Sequence, residues 1–159
     1  MTEFIDWVET QAQENIKFRL SCFDALIKEC NITLTILLAG VGATATYVFK
    51  LLSSTSFEKW LVFGIAALCL YFLLLCGIVL FKCLSIGEVQ VPTNEPDNLY
   101  QPKFTLLQIR ELELKNTQTR INKAVSRNSM IADWLNIVRT MILASPLIFI
   151  SAMVLGSYF

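Results

Sequence analysis

The segment LKNTQTRINKAVSRNSM, Leu114–Met130, carries Lys115, Arg120, Lys123 and Arg127 and no acidic residue. On a helix, Arg120, Lys123 and Arg127 share one face at i, i+3 and i+7. Asn116, Gln118, Thr119, Asn122 and Ser126 lie between them. Cations interleaved with amides and hydroxyls suit recognition of phosphate and of base edges. The candidate anionic-ligand site is therefore Lys115, Arg120, Lys123, Arg127, Asn116 and Asn122, joined by Lys17 and Arg19 if the N-terminal helix packs beside it. The same charges would equally serve as a solvated face or be drawn to an anionic leaflet.

Other chemistry is poorly provided for. The chain has no histidine, so the commonest general base is missing. It has no phosphate-binding glycine loop and no GxSxG, and no catalytic residue or cofactor is expected. Cys69, Cys76 and Cys83 fall seven apart. That spacing separates neighbours by about 10 Å along a helix, too far to share an ion, and they read as small apolar packing residues. No CxxC occurs, so a zinc site is not expected. Cys22 and Cys30 complete the five cysteines, and no disulfide framework is expected in a reducing compartment.

The elements that must position the basic segment are apolar. The hydrophobic fraction is 55% and the charged fraction 16%, against about a quarter charged in soluble domains. Three uncharged runs, 32–49, 60–81 and 140–159, each have about the length that crosses hydrocarbon. The expectation is an all-α membrane protein with three transmembrane helices and long cytoplasmic helical extensions forming a bundle. Eleven basic residues fall before the first run or between the second and third, against Lys50 and Lys59 in the first connection. The positive-inside rule then places the N-terminus in the cytoplasm and the C-terminus outside an inner membrane. None of the three runs carries an ionisable residue, which argues against an ion-coupled transporter.

Residues 1–31 read as a cytoplasmic amphipathic helix. Ile5, Val8, Ala12, Ile16, Leu20, Phe23, Ile27 and Cys30 recur at spacings of three and four. With no Gly or Pro at the join, a single helix of about 45 residues into the first span is expected. Ser53–Ser56 form the external turn. Residues 84–103, with Gly87, Pro92, Pro96 and Pro102, read as an irregular linker or a short hairpin around Glu88–Val91. Over 104–139 a second long helix shows Leu107, Leu114, Ile121, Asn128 and Leu135 seven apart, with Thr117, Ala124, Ile131 and Val138 between them. Asn128 would fix register, Arg110 and Thr117 would weaken the seam, and the helix would run into the third span without a break, kinked by Pro146.

The stretch LAGVGATATY, 38–47, concentrates small residues: Ala39, Gly40, Gly42, Ala43, Thr44 and Thr46. In lipid, small residues let helices approach closely. They would serve packing within one chain, or line a narrow pore in a symmetric oligomer whose gate closes by dewetting.

This pattern of cytosolic helices, charge-free spans and a long helix leading into a span resembles small bacterial anti-phage defence membrane effectors, the SLATT-type and Hailong-type channel effectors. The resemblance is one of architecture. It implies a homo-oligomeric channel in the lipid bilayer, a tetramer, that depolarises the inner membrane. It further implies a nucleotide or short single-stranded oligonucleotide ligand made by a partner nucleotidyltransferase. A holin-like lesion former without ligand gating and a non-channel scaffold or accessory subunit are the competing expectations.

Overall fold

In the computed structural model, which describes residues 2–53, 58–85, 87, 91, 93–94 and 99–158, four α-helices carry the fold. They are α1 (Thr2–Leu52), α2 (Lys59–Ile78), α3 (Leu106–Leu143) and α4 (Ser145–Gly156). A π-helical turn, Val79–Cys83, extends α2. No strand occurs among the described residues. The expected external turn beyond Ser53 and the hairpin at 88–90 lie outside them. Two helices are long and apolar enough to cross a membrane, and a third crossing is added if α3 and α4 count as one bent span.

The chain divides into two compact units. Unit 1 comprises Met1–Leu26 with Ile86–Met130; unit 2 comprises Ile27–Ser85 with Ile131–Phe159.

In unit 1, α1 and α3 run parallel. Arg110 reaches Asp6 and Glu9, while Asn128 donates to the Arg19 carbonyl at 2.9 Å. Ile16 is fully buried and Ile121 and Ala124 nearly so. The expected seam holds at its weak points, for reasons the side chains supply. Thr117 is buried, and its hydroxyl accepts from Arg120 at 3.1 Å. Arg110 keeps its stem in the seam and turns its guanidinium onto two carboxylates. Asn128 is the register-fixing polar residue the heptads call for.

In unit 2, α2 runs antiparallel to α1 and carries its cysteine stripe against it. The Cys69 thiol points at the Val41 carbonyl at 3.9 Å, Cys76 is buried, and the buried Cys30 thiol donates to that of Cys83. All five thiols are free. Maleimide applied to the folded protein is expected to label half-buried Cys22 and spare Cys30 and Cys83, which are 0% and 1% exposed. Peptide mass mapping before and after denaturation checks this.

α4 also packs antiparallel on α2, through two glycines. A Cβ on Gly64 would lie 2.5 Å from Met153 Cγ. One on Gly156 would lie 3.0 Å from Phe63 Cβ and 3.1 Å from Trp60 Cα. Ala152, one turn before Gly156, is buried as well. Small residues here let the two helices approach closely.

The expected unbroken helix into that run is interrupted. α3 ends at Leu143, and α4 leaves at 47° after Ala144. Pro146 has no N–H for the Ile142 carbonyl, and its ring crowds that turn. The Tyr71 hydroxyl donates to the Met141 carbonyl at 2.9 Å just before the break, and that carbonyl also accepts from the Ala144 N–H at 3.0 Å, a local i+3 adjustment. Neighbouring helices and such adjustments let a break persist inside an apolar segment.

Candidate functional site

The basic segment lies on α3 in unit 1, and the structure divides its cations into two kinds. Arg120 is turned inward. One terminal nitrogen bonds Glu113 and Thr117, the other donates to the Val91 carbonyl at 3.3 Å, and its side chain is 13% exposed. The Arg127 guanidinium stacks over the Phe23 ring, 4.6 Å from its centroid. Lys115 and Lys123 lie on the exposed surface with Asn116 and Asn122. The Asn122 carbonyl oxygen accepts from the Gln118 amide at 2.8 Å. Of the two N-terminal candidates, Lys17 is exposed. Arg19 is half-buried, bonded to Asn15 at 3.3 Å and lying 5.7 Å from the Phe18 ring centroid.

What this surface can do follows from that division. Arg120 and Arg127 are turned into the helix pair. Lys115 and Lys123 are exposed residues beside exposed Asn116 and Asn122, and lysine meets phosphate as a point charge. The arrangement favours contact with an anionic backbone over bidentate reading of a single group.

Sequence reasoning missed the strongest electrostatic feature of unit 1. Arg110 Nε and one terminal nitrogen grip both Glu9 oxygens at 2.7 Å, and that terminal nitrogen also bonds Asp6. These two carboxylates hold the guanidinium charged, raising its pKa further above its ordinary value. Beside it opens a cleft of about 350 Å³, lined by Glu9, Gln13, Asn94, Arg110 and Glu113 over leucine and isoleucine. The signal was present: an arginine at a seam position calls for acids on the facing helix, and Asp6 and Glu9 were the acids available.

The small-residue stretch of α1 is also divided. Gly40 is half-buried, and a Cβ there would touch the Phe72 ring at 3.0 Å. Thr44 shares that side; its hydroxyl donates to the Gly40 carbonyl at 2.8 Å. Ala39, Gly42, Ala43 and Thr46 are exposed, and nothing lies within 4 Å of a Cβ built on Gly42. The Thr46 hydroxyl donates to the Gly42 carbonyl at 2.8 Å. Each hydroxyl proton is thus held by the helix backbone, which suits threonine to an apolar setting.

Compared with known families, curated proteins and solved structures, the chain matches no family model, no curated protein and no solved structure.

Proposed function

We propose that the protein is a homo-oligomeric pore of the inner membrane, opened or closed by an anionic nucleotide or oligonucleotide on α3, and that it acts by dissipating membrane potential. The observation that supports the reading is the division of the small-residue stretch. One side of α1 packs on Phe72, and the other side presents Ala39, Gly42, Ala43 and Thr46 outward. Small residues on an outward face allow close helix approach where lipid gives no other incentive to associate. Three spans of one chain enclose no water path, so a pore needs several copies. Lys115 and Lys123 with Asn116 and Asn122 form the accessible ligand surface, and the inward-turned Arg120 holds that surface in place. The anti-phage role rests on the architectural resemblance.

The test is conductance of the purified protein in planar bilayers, with and without short oligonucleotides. Discrete currents that a ligand changes are expected. Lys115→Ala with Lys123→Ala should abolish the ligand response and keep the currents. Gly42→Leu should reduce channel events at least tenfold while helix content is unchanged, because the side chain enters open space within the chain. Currents indifferent to every ligand would leave a lesion former in place of a gated channel. No current under any condition would leave a scaffold.

A further inference from the structure

We infer that Lys82 and Trp134 form a binding site for the phosphate of an anionic phospholipid. The inference rests on α2 crossing a bilayer and is independent of pore formation and of ligand gating. Lys82 lies in the π-helical turn at the end of α2, and its ammonium sits 5.4 Å from the Trp134 ring centroid. The ring fixes the cation without neutralising it.

Among the described residues, Lys82 has no carboxylate partner. The contrast with the arginines is direct: Arg110, Arg120 and Arg139 are each paired with an acid. No acceptor among the described residues takes the indole N–H of Trp134, which is half-buried. Among the described residues, neither the ammonium over the ring face nor the indole N–H at the ring edge has an acceptor from the chain. A phosphodiester group, with two free oxygens, offers an acceptor to each and the negative charge that the ammonium requires.

The neighbours identify the source of that phosphate. Leu80 and Phe81, directly before Lys82, are 46% and 79% exposed. The 25-residue helical stretch Lys59–Cys83 is apolar enough to cross a membrane, so Lys82 falls at its end, where headgroups lie. An acyl chain covers Leu80 and Phe81 while the headgroup reaches the two donors. A free phosphate ion would leave those apolar residues uncovered.

The experiment is native mass spectrometry of protein released from nanodiscs of equal phosphatidylglycerol and phosphatidylcholine. Wild type is expected to retain phosphatidylglycerol preferentially. Lys82→Gln and Trp134→Phe should each reduce that preference about fivefold, and Lys82→Arg should keep it. Excess inorganic phosphate should not displace the lipid. Unchanged preference in Lys82→Gln and Trp134→Phe overturns the site. Loss in Lys82→Gln alone overturns the two-donor geometry in favour of diffuse attraction, and displacement by phosphate assigns the site to the free ion. Circular dichroism of each variant separates loss of the site from loss of the fold. A monodisperse protein obtained without detergent would instead overturn the membrane reading itself.

Discussion

Gly156→Leu is expected to detach α4 from α2 and to lower the stability of unit 2 by about 3 kcal/mol, the upper end of what overpacking costs in a well-packed core. A single added carbon would already meet Trp60 Cα at 3.1 Å and Phe63 Cβ at 3.0 Å. The first of these is backbone, so no rotamer change relieves the clash; the helices must separate. Separation also opens the contact of Gly64 with Met153 and Phe149. In lipid, this dispersion contact is what holds the pair. Detergent-titrated unfolding of the purified protein measures the loss. Gly77→Leu is the control, because a Cβ there meets nothing within 4 Å, and its unfolding midpoint should match wild type. Equal loss in both variants would show that the α2–α4 contact is not the tight one.

Ile16→Ala should have a comparable effect in unit 1. Ile16 is 0% exposed and lies in unit 1. Truncating a buried isoleucine removes its transfer free energy and leaves a cavity, together costing about 2–5 kcal/mol. The expected result is accelerated amide hydrogen exchange in residues 2–26 and 106–130, with exchange in α2 unchanged. Ile16→Leu, which conserves volume, should cost less than about 1.5 kcal/mol and leave the exchange pattern in place. Acceleration confined to α1 would mean that α3 does not depend on this seam.

Much of this was legible in the sequence because periodicity is a local signal. None of the eight apolar positions read on α1 between Ile5 and Cys30 is exposed. On α3, each seam position from Leu114 to Val138 is buried or half-buried. Pro146 announced the bend because its missing donor is a property of one residue. The contacts that close the structure depend on pairs far apart in the chain, and no pattern in one helix reveals them. The Arg110 network joins residues 101 and 104 positions apart. Gly64 and Gly156 become a lock only when each is seen against the other's helix. The basic segment showed its charge, but the engagement of Arg120 with Glu113, one heptad earlier, also required Val91 from the linker. The division of LAGVGATATY into an inward and an outward side likewise depended on where Phe72 came to rest.

The parallel course of α1 and α3 also governs the order of events at the ribosome. Parallel neighbours cannot be joined by a tight turn, and Glu9 waits for an Arg110 made 101 residues later. Until then α1 emerges with Ile16 and its fellow seam residues unsatisfied, while the two apolar helical stretches before α3 are already available for insertion. Contacts of such long sequence separation form late and slowly, and an uncovered apolar stripe invites association with other chains in the interval. A nascent chain halted before residue 106 should therefore be captured by chaperones that bind apolar helices, and one extended past residue 130 should be released.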